Sequence, residues 1–209
     1  MSVIFNPLVV LTNRLRLRPL RMDDLNLLLP LQQDPVVMRF ILGGARTPEQ
    51  TRAELQDYVA SWRDERYGMW AVFDRSDDTF LGIVGLVWRD DIGAVTLRVA
   101  LGKESQGRGL GGEAIQAAID WSFERLGLQH LIGIVQSANE ACRKMVNRLG
   151  LMLEKSWLRG TATVEQYGLS RESWLASRAV RAPSAPAPAP VPAAIAATRP
   201  AVAMQPLAA

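Results

Sequence analysis

The residues best suited to chemistry form a glycine-rich stretch, Gln106-Gly107-Arg108-Gly109-Leu110-Gly111-Gly112. Glycine adopts positive φ angles easily and lets a ligand approach the backbone closely. The amphipathic segment Ala114–Leu126 follows with helical spacing of its apolar residues. A helix start carries free N–H groups and a partial positive charge, which together attract anions. The stretch therefore predicts an anion site, most simply for the phosphate or pyrophosphate of a cofactor.

Regular elements must hold this turn in place. The β-branched segment Ala94–Leu101 precedes it and predicts a strand, so the local unit is strand, glycine turn and helix. A helix with a capping box is predicted from Thr47, and another with an asparagine cap from Asn139. The remaining predicted elements are strands at 14–18, 69–73, 80–88, 130–135, 151–157 and 161–169, a helix at 23–33 and a short helical turn at 36–40.

Composition excludes several classes of protein. The chain has 209 residues, 48% hydrophobic and 22% charged, which is typical of one globular domain. It has no apolar run of about 18 residues and no secretory leader, so we expect a cytoplasmic protein without a membrane partner. Its one cysteine, Cys142, and one histidine, His130, cannot form a four-ligand zinc site, and we expect no metal. The arginines are scattered, so we expect no nucleic-acid partner.

The predicted domain organisation has three parts. Residues 1–12 form an N-terminal lead-in, residues 13–175 form the folded domain, and residues 176–209 form a disordered tail rich in alanine and proline. A docking role for this tail is the alternative, although it has no clear P-x-x-P motif with basic flanks.

Further motifs flank the turn. They are Leu15-Arg16-Leu17-Arg18-Pro19-Leu20, Asp34-Pro35-Val36-Val37-Met38-Arg39, Asn139-Glu140-Ala141-Cys142, Arg148-Leu149-Gly150-Leu151 and Tyr167-Gly168-Leu169-Ser170-Arg171. With Gln106, Gly109 and Gly111 of the turn, they resemble the GNAT N-acetyltransferase superfamily, in the RimJ/RimL-like branch of ribosomal-protein alanine acetyltransferases. The resemblance implies an α+β fold. Its mostly antiparallel mixed sheet would have six to seven strands, helices on both faces and splayed central strands.

The same resemblance implies acetyl-CoA as cosubstrate. The pyrophosphate would lie on the backbone of Gly107–Gly112, and the pantetheine arm would pair like an added strand with Val99–Leu101. Asn139 would hydrogen-bond this arm. The cofactor-binding residues implied in this way are Val99, Ala100, Leu101, Gln106, Gly107, Arg108, Gly109, Leu110, Gly111, Gly112 and Asn139.

The sequence departs from the family at its usual acid and base. The positions of the common glutamate and tyrosine hold Thr96 and Val146. Cys142 is then the candidate general acid, with a buried filler as the alternative role. Glu165 is the candidate general base, beside Asp90 and Asp91, although each could instead be a solvated surface residue.

The resemblance implies transfer of an acetyl group to a primary amine. The acceptor would be a peptide N-terminus or a small molecule, and the protein a monomer or homodimer. An α-amino group has a pKa of about 7.7–8.0 and needs less help from a base than a lysine or polyamine amine near 10.4. The missing base therefore favours an acceptor of low pKa.

Two other functions are compatible with parts of the sequence. A GNAT fold that binds acyl-CoA without catalysis would tolerate Thr96 and Val146. A dinucleotide-binding oxidoreductase would match Gly107-x-Gly109-x-x-Gly112. The second class also requires an early βαβ unit and an acidic residue after the next strand, whereas that strand ends Ile134-Val135-Gln136.

Overall fold

The computed structural model describes residues 8–180, which form one mixed sheet with five helices. The strands are β1 (Val10–Leu11), β2 (Leu15–Pro19), β3 (Met69–Asp74), β4 (Phe80–Arg89), β5 (Ala94–Leu101), β6 (His130–Gln136), β7 (Met152–Arg159) and β8 (Ala162–Ser170). The helices are α1 (Leu25–Gln33), α2 (Pro48–Asp64), α3 (Leu110–Arg125), α4 (Glu140–Arg148) and α5 (Arg171–Val180). Short 3₁₀ turns occupy Met22–Asp24 and Lys103–Ser105.

The sheet has the strand order β1-β2-β3-β4-β5-β6-β8-β7. Every neighbouring pair is antiparallel except β5 and β6, which run parallel. This parallel contact is short, because only Thr96 with Ile132 and Leu97 with Gly133 are in register. Beyond Leu97 the two strands separate, which confirms the predicted splay of the central strands and opens a gap beside the end of β5.

The helix caps predicted from sequence are present. Thr47 accepts a hydrogen bond from the Gln50 backbone N–H at 3.2 Å, and the Gln50 side chain accepts one from the Thr47 N–H at 2.9 Å. This capping box satisfies two N–H groups at the start of α2. The side chain of Asn139 accepts from the Cys142 N–H at 3.1 Å and caps α4 in the same way.

Four details differ from the sequence-based expectation. The sheet has eight strands because the lead-in contributes β1, which pairs with β2. Helix α3 begins at Leu110, before the expected start at residue 114, because Gly111 and Gly112 are accommodated in its first turn. Residues 36–40 form turns and no helix. Helix α5 crosses the boundary drawn at residue 175, and residues 181–209 of the predicted tail lie outside the described residues.

Two hydrophobic clusters cover the two faces of the sheet. Helices α1 and α2 pack on one face through residues such as Leu28, Leu55 and Tyr58. Helix α3 packs on the other face together with residues of α4 and α5 such as Val146 and Trp174. The glycine turn therefore enters the α3 face, and the gap between β5 and β6 connects the two faces.

Candidate active site

The glycine turn has the backbone conformation that its sequence predicts. Gly107 and Gly109 have φ angles of +74° and +77°, in the left-handed region that glycine adopts without a steric penalty. Gly109 is the N-cap of α3, and no side chain caps the helix. A Cβ built on Gly107 would meet no atom within 4 Å. The turn is therefore uncrowded at Gly107, and an uncapped helix start that follows such a turn can bind an anion.

An ion pair connects the start of α3 to Arg14, the residue directly before β2. Arg14 Nε lies 2.7 Å from Glu113 Oε2, and Arg14 Nη1 donates to the Arg108 carbonyl at 3.0 Å. Thr12 Oγ1 also donates to Glu113, at 2.5 Å. Partial burial opposes the charge of Glu113, but the hydrogen bonds from Thr12 and Arg14 leave its pKa below its usual range. The negative charge in the first turn of α3 is thus neutralised by Arg14.

The backbone at the end of β5 is open toward the gap. The Gly102 N–H donates to the Leu81 carbonyl on β4 at 2.9 Å. Because the peptide unit is planar and trans, the Leu101 carbonyl points the opposite way, into the gap. Alternation along the strand turns the Val99 backbone into the gap as well, whereas the Ala100 backbone faces β4. The side-chain amide of Gln106 donates to the Leu101 carbonyl at 3.0 Å, which leaves the Val99 groups and the Leu101 N–H for a ligand.

Helix α4 borders the same region. Its cap residue Asn139 uses its side-chain oxygen on the Cys142 N–H and keeps its amide N–H₂ available. Cys142 packs half-buried against the hydrophobic core, and this burial raises the pKa of its thiol to about 11. The thiol is therefore protonated at neutral pH. Met145 packs against Gly111, whose added Cβ would lie 3.6 Å from its sulfur, so α3 and α4 approach closely.

The two positions where the family commonly has a base and an acid are inert. Thr96 is buried and donates its hydroxyl hydrogen to the Val87 carbonyl at 3.0 Å. Val146 is a buried core residue. Neither side chain can move a proton to or from a substrate.

Glu165 is buried and contacts two polar side chains, the buried Tyr167 and the partly exposed Arg143. Arg143 Nε is 2.9 Å from Glu165 Oε2, and the Tyr167 hydroxyl donates to the same oxygen at 2.8 Å. Desolvation is the largest cause that raises the pKa of Tyr167, and the hydrogen bond to Glu165 raises it further. The hydrogen bond from Arg143 lowers this pKa but does not cancel the increase. Sequence reasoning noted Tyr167 only as part of a motif. The register of β6 with β8 places Glu165 opposite Val135, at the gap end of β6.

The other two base candidates lie in the β4–β5 turn. Asp91 forms ion pairs with Arg89 at 2.6 Å and Arg159 at 3.3 Å, and these hold its pKa below its usual range. Asp90 accepts a hydrogen bond from Trp88 Nε1 at 2.9 Å. This turn precedes β5, whereas the glycine turn follows it, so the two aspartates lie at the opposite end of the strand.

A splayed sheet with an open strand edge beside an uncapped, glycine-rich helix start defines the class of the protein as an acyltransferase of the GNAT type. A sequence model of the family described as "Acetyltransferase (GNAT) domain" matches residues 14–152. The chain belongs to this family and is an acetyltransferase.

Similar proteins of known sequence are N-acetyltransferases. The uncharacterized N-acetyltransferase p20 of Bacillus licheniformis is 25% identical over 148 residues, which cover 68% of this chain and 82% of p20. Spermidine N(1)-acetyltransferase of Escherichia coli is 29% identical over 141 residues, which cover 66% of this chain and 73% of that enzyme.

Solved structures share the fold. An acetyltransferase from Agrobacterium tumefaciens has a TM-score of 0.68 at 25% identity and covers 80% of this chain and 98% of its own. RimL, a ribosomal-protein α-N-acetyltransferase in complex with coenzyme A, has a TM-score of 0.68 at 16% identity, and the match covers 78% of this chain and 97% of RimL. Spermidine N-acetyltransferase of Vibrio cholerae, in complex with coenzyme A and spermine, has a TM-score of 0.67 at 20% identity, and the match covers 78% of this chain and 99% of that enzyme.

Acetyl-CoA is the donor in this family, and the residues present fit it. The left-handed glycines, the uncapped start of α3 and the neutralised Glu113 suit a pyrophosphate, and the open backbone of Val99 and Leu101 suits an amide-containing arm.

Within residues 8–180 no helix is long and apolar enough to cross a membrane, and no group of His, Cys, Asp and Glu side chains is arranged to hold a metal ion.

Proposed function

We propose that this protein transfers the acetyl group of acetyl-CoA directly to a primary amine, without a covalent enzyme intermediate. The observation that carries the proposal is the position of the glycine turn directly after the open edge of β5. One end of this region suits a pyrophosphate and the other presents backbone N–H and C=O groups in the gap. A pantetheine-linked acyl group has both features.

The cofactor contacts follow from this arrangement. The N–H groups of Gly107–Gly112 bind the pyrophosphate, and the exposed guanidinium of Arg108 adds positive charge. The Val99 backbone pairs with the arm, and the amide N–H₂ of Asn139 donates to it. Gln106 positions this edge through its bond to the Leu101 carbonyl, and Ala100 contributes by packing.

Bound acetyl-CoA supplies an activated thioester carbonyl. The Leu101 N–H, which faces the gap, donates to the developing oxyanion. The acceptor nitrogen forms the new N–C bond as the C–S bond breaks. One proton leaves the nitrogen, and one is delivered to the departing sulfur.

The protonation roles fall to two side chains. Cys142 is protonated at neutral pH and is the proposed donor to the sulfur. Its pKa of about 11 is higher than that of an ordinary thiol, so it is a weak donor. Glu165 is the proposed base, and it must exchange its bond with Tyr167 for one to the acceptor. Both roles stay predictions.

The acceptor is a peptide N-terminus or a small-molecule amine, used by a monomeric or homodimeric enzyme. Membership of the RimJ/RimL-like branch stays a prediction from the sequence motifs, because RimL and a spermidine acetyltransferase share the fold equally well, with TM-scores of 0.68 and 0.67. The sequence relatives also include a polyamine acetyltransferase. The absence of a free base at Thr96 favours an amine with a pKa near 8.

The test combines binding and turnover. We expect acetyl-CoA to bind in calorimetry, and free thiol to appear when a panel of amines is added. Tight binding without thiol release from any amine would favour a non-catalytic acyl-CoA-binding protein, and binding of NADH in place of acetyl-CoA would favour the oxidoreductase.

The variant Glu165→Gln tests the base. We expect kcat/KM to fall about 100-fold at pH 6.5 and much less at pH 9, where the acceptor is already neutral. Glu154→Gln on the neighbouring strand β7 is the control. A loss that is the same at both pH values would show a structural role for Glu165.

A further inference from the structure

Under the proposed function the cofactor lies along α3 and the reacting amine lies in the gap, so the rest of the acceptor can extend to the opposite face of the sheet. That face is covered by α1 and α2. The segment 34–47 between these helices closes over the ends of β5 and β6. Gln136 Nε2, at the end of β6, donates to the Phe40 carbonyl at 3.3 Å, and Lys103, just after β5, pairs with Asp34 at 2.9 Å. This segment and α2 therefore form a wall of the acceptor site.

One carboxylate on this wall, Glu54 of α2, has four partners. We call the group the Glu54 cluster. Glu54 Oε1 binds Arg46 Nε at 2.6 Å, and Glu54 Oε2 accepts from Gln32 at 3.1 Å, from the Tyr58 hydroxyl at 3.0 Å and from Arg98 Nη2 at 3.3 Å. Both carboxylate oxygens are engaged, so Glu54 has little capacity left for a ligand.

The Glu54 cluster has a net positive charge. Burial opposes the ionisation of Glu54, but Arg98 and Arg46 outweigh it and hold its pKa below the usual range. One carboxylate then faces two guanidinium groups. Elsewhere on the segment 34–47, the pair of Lys103 and Asp34 is neutral, and the exposed Arg39 stacks over the Phe40 ring at 4.3 Å.

Arg98 is the cation of this cluster with the fewest hydrogen bonds, and it also lies over the Tyr58 ring at 5.8 Å. Arg46 donates in addition to the carbonyls of Gly44 and Leu42, each at 2.7 Å. Within residues 8–180, the hydrogen bond of Arg98 is the single one from Nη2 to Glu54, and its side chain is 21% exposed. Arg98 directly precedes Val99 on β5 and alternates with it, so its side chain lies on the α1/α2 face of the strand that borders the gap.

We infer that the acceptor carries an anionic group, a carboxylate, in addition to its amine, and that Arg98 binds this group. The inference rests on the proposed acetyl transfer. A polyamine would bring several ammonium groups beside a cluster that is already positive, and both oxygens of the Glu54 carboxylate are engaged. An acceptor such as an amino acid or an acidic peptide N-terminus instead offers an anion to the remaining N–H donors of Arg98.

Matched acceptor pairs test this inference by thiol release from acetyl-CoA. The amide-capped dipeptides Ala-Glu and Ala-Gln differ in one charge that lies one residue away from the reacting amine, as do Ala-Ala and Ala-Ala amide, and spermidine represents the polyamines. We expect kcat/KM to be at least about tenfold higher for the charged member of each pair, and lowest for spermidine. Equal or better turnover of the neutral members or of spermidine would overturn the inference and leave acetyl transfer intact.

The variants separate recognition from folding. Arg98→Gln should abolish the preference for the charged acceptor through KM, with acetyl-CoA affinity unchanged, and Arg98→Lys should retain part of it. Arg52→Gln, an exposed arginine on α2, is the control. A preference that survives Arg98→Gln would overturn the assignment. Absence of thiol release with every acceptor would instead contradict the proposed function itself.

Discussion

The side-chain amide of Gln106 donates a 3.0 Å hydrogen bond to the carbonyl of Leu101, the last residue of β5. This bond joins the glycine turn to the strand that borders the gap. The Leu101 carbonyl, which points into the gap, is therefore occupied. The Leu101 N–H points into the gap as well and can still donate a hydrogen bond. Under the proposed function, Gln106 therefore determines which backbone groups of Leu101 acetyl-CoA meets.

Gln106→Ala should weaken acetyl-CoA binding about fivefold, because one neutral hydrogen bond worth about 1 kcal/mol no longer fixes the turn. Isothermal calorimetry measures this effect. Gln129→Ala is the matched control, since Gln129 makes a similar 3.1 Å bond to the Gly127 carbonyl at the far end of α3. Equal affinity of wild type and Gln106→Ala would show that the turn holds its shape without this bond.

Gly109→Asp should abolish detectable acetyl-CoA binding. A side chain at a φ of +77° is strained, and a carboxylate at this position would repel the pyrophosphate. Gly93→Asp controls for the strain alone, because Gly93 has a φ of +68° with open space around it at the opposite end of β5. Normal acetyl-CoA affinity in Gly109→Asp would show that the pyrophosphate binds elsewhere.

Cys142 should react slowly with iodoacetamide at neutral pH. Burial raises the pKa of its thiol to about 11, so the reactive thiolate is scarce at pH 7.5. The alkylation rate, followed by intact-mass spectrometry, should rise about tenfold per pH unit up to pH 10, whereas the urea-unfolded chain should level off near pH 8.5. A plateau below pH 9 in the folded protein would contradict this environment and the role of Cys142 as a protonated donor.

Asp24→Asn should lower the free energy of unfolding by about 2–4 kcal/mol at pH 7, because it breaks a buried ion pair. Arg18 contacts both Asp24 oxygens at 2.7 Å, and Asp24 is only 4% exposed. Desolvation opposes the Asp24 charge, but Arg18 and the Arg21 N–H lower its pKa. The contribution is therefore complete above the unfolded pKa of about 3.9 and is lost as pH falls through the lower folded value.

Urea unfolding at pH 7, 5 and 3 measures the difference between wild type and Asp24→Asn, which should shrink at the lowest pH. Asp64→Asn is the control. Arg63 also contacts both Asp64 oxygens, but the pair is exposed and screened by solvent, so it should contribute much less than the Asp24 pair. Similar losses in the two variants would show that burial does not set the strength of the Asp24 pair.

Local signals in the sequence predicted much of this fold. Thr47, Pro48 and Gln50 predicted the start of α2, and Asn139 predicted the start of α4. These signals are local, because a capping side chain accepts from a backbone N–H group only two or three residues further along the chain. The glycine turn likewise predicted an anion site. Helix α5 was missed, although Trp174 packs in the core, because its single buried face follows β8 without a glycine or proline break.

Contacts between distant segments were not predictable. The Glu54 cluster joins α1, the loop before α2, α2 itself and β5, and no spacing in the chain links Gln32 to Arg98. The bond between Glu165 and Tyr167 spans two residues on one strand, but the participation of Arg143 from α4 depends on how that helix docks. The backbone of the glycine turn was therefore predictable from the sequence, whereas the contacts around Glu54 and Glu165 were not.

The parallel contact of only two residue pairs between β5 and β6 has a consequence for folding. Strands β3, β4 and β5 form a meander of local hairpins, and β7 and β8 form another hairpin, to which β6 adds across α4. Within each of these two parts, neighbouring strands are joined by short connections, so little chain entropy is lost when they pair. The contact between β5 and β6 instead closes the longer connection that contains α3. We therefore expect the two parts to form early and to dock late, so that the substrate gap is the last region of the molecule to acquire its shape.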